Sequence, residues 1–186
     1  AVRALRRIVE SIAAQARACG VIVATGDTKV VEHGKADGIY INTAGIGFLR
    51  APGLGKDAIR AGDAVILSGS AGCHGAAVMM ARAGLAQGGS LLSDCRPLTE
   101  LSRAALESGR IRILRDPTRG GVATTLNEFV EGTGLSVEID ESAVPVDPPV
   151  EAACDLLGLD PLYCACEGRM LAVTAPEDAD AVVSAL

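Results

Sequence analysis

Residues 115–129 read RDPTRGGVATTLNEF. Two charges of opposite sign, a proline and a Gly-Gly pair stand directly before a stretch with helical character. Pro117 drives Asp116 toward an extended backbone. Gly120 and Gly121 lack Cβ atoms, so a ligand or another backbone segment can come close. The free N–H groups and the dipole at the start of the following helix form an anion site, to which Arg119 adds a two-pronged donor. A second reading fits these residues equally well: Asp116 or Thr118 caps the helix and pairs with an arginine. One residue can serve both.

On either side of this stretch the chain alternates between strand and helix signals. Before it, DAVILSG (63–69) reads as a strand, GAAVMMARAGLAQ (75–87) and PLTELSRAALESG (97–109) as helices, and RIRILRD (110–116) as an alternating strand. After it come LSVEID (135–140), a strand of period two, then the helix PVEAACDLLG (149–158), the strand RMLAVTA (169–175) and a last helix led by Pro176. Nearer the N-terminus, Val2, Leu5, Ile8, Val9, Ile12 and Ala16 follow a helical period. Glu10 and a C-capping Gly20 favour a packed helix over a targeting segment. VIVATG (21–26) reads as a buried strand and IYINTAGIG (39–47) as a second one, joined by a polar loop. The Pro- and Gly-containing connection FLRAPGLGKDAIRAG (48–62) marks a boundary, with domains expected over 1–55 and 56–186. The mixture predicts a fold between α/β and α+β.

Composition narrows the function. Of 186 residues, 49% are apolar and only 2% aromatic, so the core must be aliphatic. A net charge of −6 and the lack of stacking aromatics argue against nucleic-acid binding. No apolar run has the roughly 18–20 residues that a membrane-spanning helix needs. The six cysteines include no C-x-x-C, and the C-x-C at 164–166 has no partner pair at zinc-site spacing. They read as reduced thiols in a cytoplasmic protein.

Three further stretches hold candidate chemistry. In TGDTKVV (25–31), Asp27 and Lys29 lie two residues apart at a strand end. A carboxylate suits Mg²⁺ and a lysine suits phosphate, although on spacing alone an ordinary turn, with Asp27 closing an Asx-turn and Lys29 in solvent, is the favoured reading. In CACEGRM (164–170), Glu167 precedes Gly168; a carboxylate partly withdrawn from water serves as a general base, and a turn carboxylate paired with Arg169 is the simpler alternative. Cys73 and His74 are adjacent in a glycine-rich loop, where a solvent-facing imidazole is favoured over a nucleophilic pair.

Taken in order, TGDTKVVEHGKADGIYINTAGIG, SDCRPL, RDPTRGGVATTLNEFVEGTG and LLGLDPLY resemble the HypE family of hydrogenase maturation proteins, carbamoyl dehydratases within the AIR synthase (PurM)-like superfamily. Arg119 stands where the wider superfamily has a glycine and so points to the hydrogenase branch. The resemblance implies a PurM-like two-domain architecture, with 1–55 the end of an ATP-binding N-terminal domain and 56–186 most of the C-terminal domain. It implies a homodimer with ATP and Mg²⁺ at the domain and subunit junction. It also implies ATP-dependent dehydration of a carbamoylated C-terminal cysteine to a thiocyanate, the source of the cyanide ligands of [NiFe]-hydrogenase. Partners implied are the carbamoyltransferase HypF and the HypC–HypD assembly complex, with no nucleic acid and no membrane.

Carried over position by position, the resemblance makes Asp27 the Mg²⁺ carboxylate, Lys29 a catalytic and phosphate-binding lysine, and Glu167 the base that takes amide protons. Thr28, Asn42, Asp116, Arg119 and Gly121 complete the expected ATP site. The family's usual Asn-Glu-Gly-Lys is Cys166-Glu167-Gly168-Arg169 here, which keeps the carboxylate and a positive charge. Its Asp-His-Gly is Cys73-His74-Gly75, which loses a carboxylate. A first residue other than Met and an uncapped end make the sequence read as a piece lacking both termini. Without a C-terminal acceptor cysteine it is not expected to turn over by itself. Other readings are a selenophosphate synthetase or thiamine-monophosphate kinase type of ATP enzyme, a non-catalytic maturation scaffold, and a cysteine-based metal or redox module.

Overall fold

A computed structural model describes residues 2–49, 51–86 and 91–186. Three expectations touch residues outside that range: Ala1 in the first helix, Arg50 in the connection and Gln87 at the end of a helix. The chain forms two compact units, Ala1–Arg50 and Ala51–Leu186.

The first unit holds one helix, α1 (Val2–Ala18). It ends as expected at Gly20, whose φ of 66° lets Val21 N–H reach Ala16 O at 2.8 Å and Gly20 N–H reach Arg17 O at 3.2 Å. The expected packing of the α1 stripe is not found within this unit: Val2, Leu5, Val9 and Ile12 are all exposed. Nor do 21–26 and 39–47 form strands. They have no regular structure and no ladder partners, and Ile22 and Tyr40 lie 87% and 73% exposed. A β-branched apolar run favours extended backbone, but a strand also needs a neighbouring backbone about 4.8 Å away.

The second unit is built on a three-stranded antiparallel sheet in the order β1-β3-β2, with β1 Ala64–Leu67, β2 Ile111–Arg115 and β3 Leu171–Thr174. All four residues of β3, the central strand, are buried. Its period-two alternation divides the core. Leu171 and Val173 pack with Val122, Leu126 and Phe129 of α4 (Gly121–Val130), whereas Ala172 packs with Ile66 and with Val182 of α6 (Ala179–Ala185). Each large apolar side chain so buried contributes about 1.5–3 kcal/mol. A separate cluster joins α2 (Cys73–Arg82) to α5 (Pro148–Leu157) through Ala76, Val150, Ala153 and Cys154. Helix α3 (Thr99–Ser108) stops at Gly109, as its sequence predicts, and packs against α6. Where β2 bulges between Ile111 and Ile113, Arg112 pairs at 3.1 Å with Asp63, whose carboxylate is 3% exposed. Among the described residues no helix is long and apolar enough to cross a membrane.

Two boundaries differ from expectation. Helix α2 starts earlier and ends at Arg82, because Gly84 (φ 72°) lets Leu85 N–H close on Met80 O at 2.9 Å. Residues 135–140 form no strand. Burial alternates only over 135–138, with Leu135 and Val137 half-buried and Ser136 and Glu138 exposed, and the segment lines a 740 Å³ groove with Leu67 of β1 without joining a backbone ladder.

Burial pushes the Cys154 thiol up to about 12, helped by the neighbouring Cys164 thiol, and the Cys166 thiol up to about 11, from an ordinary 9.0. The native state holds these protons more tightly than the unfolded chain does. That stabilisation is complete below the unfolded value and is lost as pH rises through the native values. The second unit is therefore expected to melt at a clearly lower temperature at about pH 10.5 than at about pH 8. Circular dichroism checks this, and the Cys154→Ala, Cys166→Ala double variant is expected to flatten the dependence.

Candidate functional site

The site of the second unit is assembled from its glycines. After β2, Asp116 and Pro117 continue extended, and Gly120 and Gly121 turn the chain with φ of 78° and 61°, the left-handed region. Gly121 N–H bonds Thr118 O at 3.0 Å, and Thr124 N–H bonds Gly120 O at 3.1 Å. No side chain caps α4, so the capping role considered for Asp116 and Thr118 is ruled out. Among the described residues the N–H groups of Val122 and Ala123 have no acceptor, and neither Asp116 nor Arg119 has an ion-pair partner. The nearby charge that does pair is Arg115, with Glu128 of α4. An uncapped N-terminus beside an exposed arginine is an anion site by its electrostatics.

Gly121 also brings the other half of the site close. A Cβ there would stand 2.5 Å from Leu162 O and 2.6 Å from Cys164 O, so the segment 161–166 lies directly on the α4 entrance. Cys166 N–H bonds Pro117 O at 2.9 Å and so joins the two segments. The same segment closes on α2, where Gly75 N–H bonds Ala165 O at 2.9 Å and Gly72 N–H meets Cys166 Sγ at 3.1 Å. Glu167 follows, half-buried, its N–H held by Asp94 Oδ1 at 3.1 Å. Among the described residues no hydrogen bond or ion pair takes its carboxylate, so the surface pair with Arg169 considered for it does not form. The structure therefore brings Asp116, Arg119, Gly121 and Glu167 into one neighbourhood.

Cys73 and His74 are not a nucleophilic pair. The Cys73 thiol lies 3.8 Å from both Ser70 Oγ and Asp147 Oδ2, and burial raises its pKa. His74 is partly exposed, and its Nδ1 meets Ser93 Oγ at 2.8 Å rather than the Cys73 thiol. Cys154 and Cys164 lie with sulfurs 3.9 Å apart, both buried. Among the described residues no group of three or more His, Cys, Asp or Glu side chains is placed to hold a metal. In the first unit, Asp27, Thr28, Lys29 and Asn42 are all exposed, and Asp27 Oδ1 accepts the Thr28 N–H at 2.8 Å. Asp27 Oδ2 and the Lys29 ammonium make no bond among the described residues, which leaves a carboxylate oxygen and a point charge open to a ligand.

Sequence reasoning assigned no task to Ser93, Asp94 or Arg96. They lie 71 or more residues before Glu167 in a segment without periodicity. Their one signal was membership of SDCRPL.

The chain is similar to known proteins over nearly its whole length. The chain is 52% identical over 187 residues to the carbamoyl dehydratase HypE of Rhizobium leguminosarum bv. viciae, covering 98% of this chain and 53% of that protein. To HypE of Cupriavidus necator it is 50% identical, covering 98% of this chain and 52% of the relative. The chain thus spans about half the length of the curated relatives it matches. Among solved structures, Escherichia coli HypE superposes with a TM-score of 0.94 at 41% identity, over 100% of this chain and 58% of that one. HypE in a complex with HypF gives 0.94 at 40%, over 100% and 61%, and HypE in complex with ATP gives 0.87 at 38%, over 100% and 56%. Residues 60–186 match the family model described as AIR synthase related protein, C-terminal domain. With the family's C-terminal domain matched over most of the sequence, the chain belongs to the AIR synthase related proteins.

Proposed function

We propose that this chain is the central part of an ATP-dependent carbamoyl dehydratase, which removes water from a carbamoylated cysteine to leave a thiocyanate for hydrogenase maturation. The observation that carries the proposal is the junction at Gly121, where an uncapped helix start meets the segment presenting the unpaired Glu167 carboxylate. The HypE relatives favour it over other ATP enzymes of the superfamily, and the HypE solved with ATP supports the choice of nucleotide. Residues 1–55 are then the end of an ATP-binding domain and 56–186 most of the C-terminal domain.

An amide oxygen is a poor leaving group. ATP would supply the phosphoryl group that makes it a good one, with Mg²⁺ offsetting phosphate charge. The residues present fit both. Asp27 offers an oxygen ligand to a hard cation and Lys29 a point charge to phosphate, with Thr28 and Asn42 as exposed polar neighbours. In the second unit the Val122 and Ala123 N–H groups and the Arg119 guanidinium attract an anion, and Gly121 keeps that approach free of a Cβ. Asp116 orders the turn through its carbonyl, which accepts the Thr118 N–H. Glu167 would take up the two amide N–H protons in turn, passing the first to solvent, while the activated oxygen departs as phosphate and the carbon–nitrogen triple bond forms. The HypE–HypF complex supports the carbamoyltransferase HypF as a partner. A homodimer, a HypC–HypD acceptor complex and a cytoplasmic setting complete the reading.

The test is mass spectrometry of the acceptor-cysteine peptide of the intact protein after incubation with HypF, carbamoyl phosphate and ATP. Loss of one water is expected, and Lys29→Ala is expected to slow it about 10²- to 10³-fold, as removal of a charge-stabilising donor does. Wild-type turnover by Lys29→Ala would overturn the role of Lys29, and absence of any ATP-dependent water loss would overturn the function.

A further inference from the structure

Ser93–Arg96 crosses the Glu167 backbone and holds it from both sides. Ser93 is anchored first: its hydroxyl meets His74 Nδ1 at 2.8 Å and accepts the Cys95 N–H at 3.1 Å, which fixes the segment to the first turn of α2. Asp94 Oδ1 accepts the Glu167 N–H at 3.1 Å. The Asp94 carbonyl then lies so close to Gly168 that a Cβ there would sit 1.7 Å from its oxygen. Arg96 Nε donates to Gly168 O at 2.9 Å. The two hydrogen bonds that reach residues 167 and 168 both end on backbone, and none engages the Glu167 carboxylate. The other Asp94 oxygen, Oδ2, is buried without a partner. Burying a second oxygen unpaired is unfavourable, yet a carboxylate is the stronger acceptor for a backbone N–H.

We infer that Asp94 and Arg96 are positioning residues for Glu167, fixing its backbone so that the carboxylate is aimed at the reacting amide. The inference rests on the proposed role of Glu167 as base. A clamp on the N–H of residue 167 and the carbonyl of residue 168 restricts the backbone torsions between them. Only side-chain rotation is then left to place the carboxylate. A misplacement of about 1 Å at a reacting group costs on the order of 100-fold in rate.

The experiment combines kinetics of water loss in the intact protein with amide exchange of Glu167 followed by NMR. Asp94→Ala is expected to lower kcat about 10- to 100-fold with KM for ATP unchanged, and to speed exchange of the Glu167 amide while the β3 amides stay protected. Asp94→Asn retains an oxygen acceptor and is expected to recover kcat to within about threefold and to restore protection. A loop staple of purely structural importance would not give this separation of kcat from KM with rescue by asparagine. Wild-type kcat in Asp94→Ala beside an inactive Glu167→Gln overturns the inference and leaves the base in place. Failure of asparagine to rescue also overturns it. An active Glu167→Gln overturns the base, and the inference with it. Should Asp94→Ala not fold, Arg96→Ala decides: its side chain is exposed, a fall in kcat of about 5- to 10-fold is expected, and an unchanged kcat is contrary to the clamp.

Discussion

Replacing Glu167 with glutamine is expected to slow ATP-dependent water loss about 10²- to 10⁴-fold, the range for losing a general base, with nucleotide affinity and folding unchanged. Glutamine preserves volume and hydrogen bonding but does not take a proton. Because the Glu167 carboxylate has no partner among the described residues, its removal breaks no ion pair and leaves the Asp94 bond to the backbone in place. The anion-attracting groups at the α4 entrance belong to other residues, so ATP binding is a separate readout, measured by calorimetry. Rapid water loss in the glutamine variant would remove Glu167 from the mechanism.

The largest structural effect is expected at Gly121. Alanine there must adopt a φ of 61°, and its methyl group would meet Leu162 O and Cys164 O at 2.5 and 2.6 Å. Those neighbours are backbone, held by the Cys166–Pro117 and Gly75–Ala165 bonds, so they have little freedom to retreat. Left-handed strain and overpacking together predict a loss of about 3–5 kcal/mol, or a fall of about 10–15 °C in Tm. Gly158→Ala is the control. It shares the left-handed φ, 65°, but its methyl group would meet nothing within 4 Å. About half the loss is expected there, from backbone strain alone. Thermal melts of the two variants separate that strain from the backbone obstacle, and equal melts would contradict the role given to the 162–164 carbonyls.

Much of the second unit was legible because its signals are local. The strand at β3 shows as RMLAVTA, α3 stops at Gly109, and α4 follows a Gly-Gly turn, with boundaries within two residues of expectation. The errors have one cause. Residues 21–26, 39–47 and 135–140 carry apolar, β-branched or alternating patterns, but none has a ladder. Conformation is a property of the segment, whereas pairing depends on a neighbour. The adjacency of Cys73 and His74 carries no joint chemistry, the reading their sequence position favoured: a helical start sends one side chain to Ser70 and Asp147 and the other to Ser93.

The candidate site divides in the same way. Residue chemistry was readable from short motifs: a carboxylate and a lysine at 27 and 29, an arginine with paired glycines at 119–121, and a carboxylate before a glycine at 167. The sequence by itself determined which groups were available and where the backbone could turn, because charge, Cβ substitution and local torsion belong to individual residues. Only the tertiary structure decided that Gly121 is pressed against the carbonyls of 162–164, that no side chain caps α4, and that Asp94 and Arg96 grip the backbone beside Glu167. Those contacts join residues about 40 to 70 positions apart. Their free energy comes from packing and hydrogen bonds that exist only once β3 has drawn its flanking segments together.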